Sequence, residues 1–360
     1  MYALYIMDSA ILCAAALFAR RLQIIVNPPY QEDRQGEGTT ATPVYHHFMT
    51  AAHECADKVM LITPARFLFN AGYTPKSWNA ERLIDPHFKV EAYYPNAADV
   101  FQNVDIKGGV AITYRDTSKD FGAIEVFTIY PLLNGIFHKV THTDGFSALS
   151  DIVVTSFAYH YTEQMYIENP ALVGRASKGH TYDLQSNTFD TFPEVYSETV
   201  PHTDGFIRVL GRVGNQRGWK YIKRTYLNEV GNVDKYKVFI SKAAGTGQFG
   251  ETLPDGIIGT PGDGATITFT SIGFFNTSIE AENCEKYIKT KFARTLLGVL
   301  KVTQDLTPSK WAYVPLQDFT PSSDIDWSQP IPAIDKQLYR KYGLTDEKIA
   351  FIESHVKEMT

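Results

Sequence analysis

Residues 23–30 read Gln-Ile-Ile-Val-Asn-Pro-Pro-Tyr, a short apolar run that passes directly into two consecutive prolines. The apolar run predicts a strand, and the prolines end it because proline has no N–H to donate to a neighbouring strand. On either side, helical and extended patterns alternate, which predicts an α/β fold with a largely parallel sheet. The helices are predicted over residues 10–22 and 43–55, and the further strands over residues 59–63, 88–94 and 110–114.

The pattern changes from about Phe127 onward. Short β-rich runs are separated there by Asn-Gly and Asp-Gly turns, which predicts a second, α+β domain. Further along, residues 280–300 predict one long helix, residues 315–332 a Pro/Ser-rich linker, and a last helix opens at Thr345. We therefore expect a first domain over residues 1–127, a second over residues 128–320, and a linker with a helical extension over residues 321–360.

The composition excludes several classes of protein. The chain has 360 residues, too many for one typical core, and only three cysteines, whose spacing fits neither a disulfide scaffold nor a zinc site. The longest apolar run, residues 10–19, is about half the length that a bilayer crossing needs, so we expect a cytoplasmic protein without a membrane segment. The net charge of −6 excludes a general polyanion binder, so any nucleic-acid surface must be a local basic patch.

The segment Asn27-Pro28-Pro29-Tyr30 carries the clearest chemistry. An exocyclic amine such as adenine N6 is a poor nucleophile because its lone pair is delocalised into the ring. The Asn27 side-chain oxygen and the Pro28 carbonyl could accept hydrogen bonds from both amino hydrogens and favour a pyramidal nitrogen. Tyr30 offers a flat face on which an extruded base could stack. We therefore predict methyl transfer to an amine.

Four residues alone leave other interpretations open. The segment could be only a rigid loop, although the carboxyl end of a strand in an α/β sheet is where ligands bind. The same tetrapeptide also serves methyltransferases that act on glutamine amides or guanine N2. By itself it therefore indicates amine or amide methylation and does not identify DNA as the substrate.

A set of longer blocks narrows this choice. They resemble the adenine-specific (N6) DNA methyltransferases of Eco57I-type restriction-modification systems over nearly the whole chain, least between residues 132 and 198. The blocks are residues 24–31, 41–48, 61–66, 104–110, 236–242, 290–294, 302–305, 314–320 and 337–344.

The resemblance implies a fold, a reaction and a set of site residues. The fold would be a partial Rossmann-like, S-adenosylmethionine-dependent methyltransferase sheet followed by an α+β target-recognition domain. The reaction would be methylation of an adenine flipped out of double-stranded DNA, with residues 27–30 as the catalytic segment. Asp105, Lys107 and Gly108 would help to form the target-base pocket, although Lys107 and the glycines could also be only a strand-entry turn.

One departure from the family concerns the cofactor. The family places a glycine-rich loop for S-adenosylmethionine upstream of the catalytic segment, and residues 1–26 contain no Phe-x-Gly-x-Gly pattern. Asp8 weakly matches an acidic residue that contacts the cofactor. We therefore expect that a second chain could supply the cofactor-binding half, or that the partner is an endonuclease subunit. The alternatives are an incomplete DNA-binding or specificity subunit, and a methyltransferase that acts on RNA or protein.

A basic segment, residues 206–242, predicts the DNA surface. It contains nine arginines and lysines against two acidic residues, with aromatic residues between them. The alternative is a solvated sheet face. The predicted DNA contacts in this segment are Arg208, Arg212, Arg217, Lys220, Lys223, Arg224 and Lys242.

Two further motifs need separate treatment. The sequence Gly245-x-Gly247-x-x-Gly250 fits a dinucleotide fingerprint, but a turn follows it where a helix would be needed. We therefore predict a plain hairpin or a loop that approaches DNA through Gln248. We interpret the cluster His46, His47 and His53 as packing residues and predict no metal site.

Overall fold

The computed structural model describes residues 23–31, 42–101, 106, 108–201, 204–214 and 216–359. The predicted helix over residues 10–22 and the candidate residues Asp8, Asp105 and Lys107 lie outside this range. The chain divides into two compact units, residues 1–134 (unit 1) and residues 135–360 (unit 2). Within the described range, no helix combines the length and hydrophobicity that a bilayer crossing needs.

Unit 1 contains a four-stranded sheet with helices between its strands, and the predicted strands and the helix after residue 43 are confirmed. The order across the sheet is β1-β2-β4-β3. The elements are β1 Gln23–Val26, α1 Tyr45–Cys55, β2 Lys58–Pro64, α2 Lys76–Ile84, β3 Phe88–Tyr94 and β4 Val110–Asp116.

The prediction of a largely parallel sheet is wrong, because most neighbouring strands of this sheet pair in antiparallel fashion. Only β1 and β2 pair in parallel, because β4 inserts between β2 and β3 and runs antiparallel to both. A parallel neighbour requires a long crossover connection, usually helical. The described residues between β3 and β4 contain only a 3-10 turn, Ala97–Asp99, so the chain simply reverses. Strands β1, β2 and β3 nevertheless point the same way.

The core of unit 1 forms where the helices cover this sheet. Helix α1 buries Met49 and Ala52, and α2 buries Trp78, all at less than a tenth of their full exposure. They join one apolar cluster with Leu61 of β2 and Phe88 of β3. The spacing of Met49 and Ala52 places both on one face of a helix, so packing against the sheet fixes the orientation of α1.

Unit 2 is an α+β assembly with two four-stranded sheets, ordered β10-β9-β12-β5 and β11-β7-β8-β6. The strands are β5 Val153–Val154, β6 Tyr196–Ser197, β7 Phe206–Val213, β8 Gln216–Lys223, β9 Tyr236–Ser241, β10 Ile257–Gly259, β11 Asp263–Ala265 and β12 Phe269–Phe275. The helices are α3 Pro131–Thr141, which begins in unit 1, α4 Glu163–Glu168, α5 Thr188–Thr191, α6 Ser278–Lys289, α7 Lys291–Leu300, α8 Ile331–Lys341 and α9 Asp346–His355.

The single helix predicted over residues 280–300 is two helices, α6 and α7, separated at Thr290. Thr290 has an extended backbone (φ −57°, ψ 148°), and its hydroxyl accepts a hydrogen bond from the Ala293 amide as an N-cap. The buried carboxylate of Asp335 accepts the amides of Lys291 and Phe292, the first two of α7. In a continuous helix these backbone N–H groups would bond to carbonyls of the preceding turn. Here the side chains of Thr290 and Asp335 accept them instead.

The predicted linker over residues 315–332 is also wrong. Phe319, Ile325 and Trp327 are buried, and the Asn283 side chain of α6 donates to the Phe319 carbonyl at 2.9 Å. These apolar side chains outweigh the Pro/Ser-rich composition, so the segment packs as part of unit 2. The last helix does open at Thr345, whose hydroxyl caps it by accepting the Lys348 amide. The domain boundaries predicted from the sequence stay predictions.

Candidate active site

The Asn-Pro-Pro-Tyr segment lies at the carboxyl end of β1, where its position in the sequence predicts it. Val26, the last residue of β1, is opposite Leu61, and β2 continues three residues further to Pro64. The segment therefore leaves the sheet beside the end of a longer strand. Asn27 and Pro29 are exposed and Pro28 is buried. The asparagine side chain is thus accessible, and its backbone is held by a packed proline.

Tyr30 turns back toward the sheet and does not project into solvent. Its carbonyl accepts the Val44 amide at 3.1 Å, and its ring packs against the apolar core at 6.4 Å from the Phe101 ring centroid. Its hydroxyl is buried without a hydrogen-bond partner of normal geometry. Burial raises the pKa of Tyr30 to about 12, although the nearby Asn27 side chain acts in the opposite direction. Tyr30 is therefore a neutral packing residue at neutral pH.

The Gly108–Gly109 turn lies at the same edge of the sheet. Because β4 runs antiparallel, it starts where β2 and β3 end, with Val110 opposite Pro64 and Tyr94. The glycines have φ of +89° and +75°, which L side chains rarely adopt. A Cβ on Gly109 would lie 2.2 Å from the Tyr94 carbonyl oxygen. The turn thus requires glycine for its close approach to the strand end.

Three aromatic rings lie near this edge, and the sequence patterns did not single them out. The ring centroids of Phe69, Tyr93 and Phe127 lie 5.3–5.6 Å apart. The Tyr93 hydroxyl donates to the Gly108 carbonyl at 3.3 Å, and Phe69 remains 38% exposed. Of the three, only Tyr93 lies near the end of a predicted strand, which is a signal that could have identified it. Phe69 gives the cluster an exposed aromatic surface, whereas Tyr30, like Tyr93 and Phe127, is only partly exposed.

The topology of unit 1 therefore brings two of the predicted groups, residues 27–30 and Gly108, to one edge. Asp105 and Lys107 lie outside the described residues. Residues 23–101 match the Eco57I restriction-modification methylase family. A search of curated proteins finds no match.

The Eco57I match covers a minority of the chain but includes the strand end and the Asn-Pro-Pro-Tyr segment. It supports a methyltransferase family and suggests DNA methyltransferase activity. Methylases of this family normally use S-adenosylmethionine. The mixed α/β architecture of the described residues is compatible with a methyltransferase.

The predicted basic surface of unit 2 is largely neutralised. Five of the seven predicted DNA contacts lie within 4 Å of a carboxylate, and most of these carboxylates come from outside residues 206–242. The pairs are Arg208 with Asp263, Arg212 with Asp190, Lys220 with Glu198, Lys223 with Glu168, and Arg224 with both Glu229 and Asp234. Their role as DNA contacts stays a prediction, but the excess of positive charge is far smaller than the sequence indicates.

The Gly245–Gly250 loop already contains an anion from its own chain. The Glu251 carboxylate accepts the amides of Thr246 and Gly247 at 2.8 and 2.9 Å and pairs with the Lys301 ammonium. Burial would raise the Glu251 pKa, but the Lys301 contact and these amides lower it to about 2. The glycines therefore serve a side-chain carboxylate. Gln248 projects from this loop and is exposed.

The three histidines on α1 pack against neighbouring side chains, and the His46 Nδ1 is buried without a hydrogen-bond partner among the described residues. The rings of His46 and His47 lie 3.9 Å apart, and the His53 ring nitrogen Nδ1 lies 2.8 Å from Arg82. Burial, together with the Arg82 charge, lowers the His53 pKa to about 3, so this ring is neutral. An open cavity of about 450 Å³ lies between α1 and α2, lined in part by His46 and Trp78.

Proposed function

We propose that this chain is a site-specific DNA adenine-N6 methyltransferase that transfers a methyl group from S-adenosylmethionine to a flipped-out adenine. One observation carries the proposal. The exposed Asn27 side chain lies within the residues that match the methylase family, at the end of a strand. The Gly108–Gly109 turn lies on the same edge of the sheet.

The chemistry proposed for this edge needs acceptors and no nucleophile from the protein. The Asn27 side-chain oxygen and the Pro28 carbonyl would accept the two amino hydrogens of the adenine and direct its lone pair outward. S-adenosylmethionine would supply an electrophilic methyl group when bound. After transfer, the amine releases one proton to solvent. Asp8, the one residue proposed to contact the cofactor, lies outside the described range.

The aromatic cluster at Phe69, Tyr93 and Phe127 supports base extrusion better than Tyr30 does. A base removed from a duplex loses its stacking and needs a flat apolar surface in exchange. Phe69 of this cluster is 38% exposed, whereas Tyr30 is only partly accessible and its hydroxyl is buried. We propose that the cluster, and not the Tyr30 ring alone, holds an unstacked base.

The test is methyl transfer by Asn27→Ala from tritiated S-adenosylmethionine to unmethylated plasmid DNA. We expect the rate to fall about 10²- to 10³-fold, because an acceptor in a preorganised site is lost. The matched control is Gln23→Ala, an exposed polar residue at the opposite end of β1. DNA binding should be the same in all three proteins.

The outcomes distinguish the proposed activities. A normal rate in Asn27→Ala contradicts the mechanism, and transfer to RNA or protein acceptors but not to DNA contradicts the substrate. If wild type binds duplex DNA without transferring methyl groups, the alternative holds, in which the chain is a DNA-binding subunit and a second chain carries the cofactor site. Calorimetry with S-adenosylmethionine then decides whether this chain binds the donor by itself.

A further inference from the structure

Two of the seven predicted DNA contacts differ from the other five. Among the described residues, Arg217 and Lys242 have no carboxylate within 4 Å, whereas the five other predicted DNA contacts do. A phosphate that binds an ion-paired cation must displace its carboxylate, whereas Arg217 and Lys242 have no directly paired carboxylate to displace. These two residues are therefore the strongest anion-binding positions among the predicted DNA contacts.

Both cations lie at the end of strand β9. The Arg217 guanidinium donates to the Ser241 hydroxyl at 2.8 Å and lies 5.5 Å from the Phe269 ring, which is opposite Ser241 in the sheet. Lys242 follows Ser241 directly. Because side chains alternate along a strand, the two cations flank this strand end, one on each face. Both cations thus belong to the same strand end.

Lys242 lines a small pocket. Its ammonium lies 4.5 Å from the ring of Phe157, which is 41% exposed. The pocket has a volume of about 200 Å³, and hydroxyl-bearing residues form much of its wall: Thr155, Ser156, Thr270 and Thr307. Asp305 also lines it, without pairing to Lys242 within 4 Å. Hydroxyl groups beside one ammonium are a typical set of donors for a phosphate oxygen.

Neighbouring backbone places two amide side chains beside this strand end. The Ala244 amide donates to the Gln304 carbonyl at 2.8 Å, and Ala243 pairs with Asp305. This joins the chain after β9 to residues 304–305, and the side chains of Gln304 and Gln248 are exposed. Glutamine can make a bidentate contact with adenine in the major groove. Groups that can read bases thus lie near groups that can bind phosphates.

We propose that the end of β9 is the principal DNA-backbone contact of unit 2, with Lys242 and Arg217 each binding one phosphate of a duplex. This inference rests on the proposed function and replaces the broad basic surface by a defined edge. Exposed Gln304 and Gln248 then face the adjacent bases.

The experiment measures binding to a fluorescein-labelled duplex of randomised sequence by anisotropy over a series of salt concentrations. For Arg217→Gln/Lys242→Gln we expect the slope of log affinity against log salt to flatten by about 1.8, because each phosphate contact contributes about 0.9. Affinity should fall on the order of tenfold. Phe157→Leu, which removes the ring and keeps an apolar side chain, should weaken binding without changing the slope.

Two matched double variants provide the comparison. Lys220→Gln/Lys223→Gln removes cations that are ion-paired, and Lys178→Gln/Lys336→Gln removes exposed charge elsewhere in unit 2. Both should flatten the slope by much less. If Lys220→Gln/Lys223→Gln has the larger effect, the inference is overturned while the proposed function stands. If the wild type fails to bind duplex DNA, the proposed function fails first. Thermal melting checks that each variant is folded. If Arg217→Gln/Lys242→Gln does not fold, the single variant Lys242→Gln takes its place.

Discussion

The guanidinium of Arg208 donates two hydrogen bonds of 2.8 Å to the carboxylate of Asp263, a residue 55 positions later in the chain. Asp263 is buried and also accepts the Thr260 amide at 2.7 Å. The Trp219 ring lies 4.0 Å from the Arg208 guanidinium carbon. These contacts make Arg208 part of the framework of unit 2.

Arg208→Met should therefore reduce stability more than DNA binding. The change leaves the Asp263 charge buried without its partner, which we expect to lower the free energy of unfolding by about 3 kcal/mol. Arg212→Met is the control, because Arg212 pairs at 3.5 Å with an exposed Asp190 and should change stability by less than about 1 kcal/mol. Urea unfolding measures both. Equal stability of the two variants would contradict this role of Arg208.

The Gly108–Gly109 turn predicts a graded response to alanine. Gly109→Ala should reduce stability and methyl transfer strongly, because its Cβ would collide with the Tyr94 carbonyl, a backbone atom that cannot easily move. Gly122→Ala is the control: its φ is +78° with open space around it, so it measures backbone strain alone, about 1–2 kcal/mol. If Gly109→Ala unfolds at the same urea concentration as Gly122→Ala, the collision is relieved and the turn is not tightly fixed.

Two substitutions of Tyr30 distinguish the contribution of its ring from that of its hydroxyl. Tyr30→Phe removes a buried oxygen that has no partner of normal geometry, so stability should stay equal or rise by about 1 kcal/mol. Methyl transfer should remain near the wild-type rate. Tyr30→Ala, in contrast, opens a cavity in the core and should destabilise unit 1 by about 3 kcal/mol or more. A large loss of transfer in a stable Tyr30→Phe variant would show that the hydroxyl takes part in the reaction.

Lys237 is a buried ammonium bound by main-chain oxygens. Its ammonium lies 2.9 Å from the carbonyl oxygens of Asn232, Val233 and Lys235 and 3.1 Å from that of Thr260, so its three N–H groups are shared among four acceptors. Burial lowers the pKa of Lys237 to about 8. Lys237→Met leaves these oxygens without their donor, so we expect a loss of about 3 kcal/mol in the free energy of unfolding. Lys235→Met, at a half-buried lysine whose ammonium donates, within the described part of the chain, only to the Asn276 side chain, should cost much less when both variants are compared by urea unfolding.

The Glu251–Lys301 pair predicts a dependence of stability on pH. The Glu251 pKa in the folded protein is about 2, below its ordinary value of 4.5, so the pair stabilises the fold above pH 4.5. This contribution is lost as the pH falls from 4.5 toward 2. The difference in stability between wild type and Glu251→Gln should be about 3 kcal/mol at pH 7 and should shrink over that interval. The double variant Glu251→Gln/Lys301→Met should recover part of the loss, since no buried cation remains unpaired.

The local features of this chain could be predicted from its sequence. Residues 23–30 combine a strand pattern with a break, so both β1 and the place of Asn27 at its end follow from neighbouring residues. Thr345 with acidic residues after it marks the start of the last helix in the same way. Each of these features depends on a few consecutive residues.

Features that depend on distant residues could not be predicted. Strand β4 lies between β2 and β3 because of its pairing on both sides, and no local pattern reports that order. Asp263 neutralises Arg208 from another strand, so a count of charges within residues 206–242 overestimates the positive surface. The aromatic cluster joins three separate segments. The break at Thr290 is different: a threonine before Lys291 was a visible N-cap signal, and the apolar periodicity on both sides concealed it.

The position of Glu251 inside the Gly245–Gly250 loop has a consequence for any dissolved anion. The carboxylate is tethered a few residues from the amides that it binds, so its effective concentration at the loop is on the order of millimolar or above. Free phosphate or a nucleotide would have to compete with this permanent intramolecular ligand and would also bring a second negative charge beside it. The loop is therefore self-inhibited as an anion receptor, because its amides are already bound to a carboxylate of the same chain.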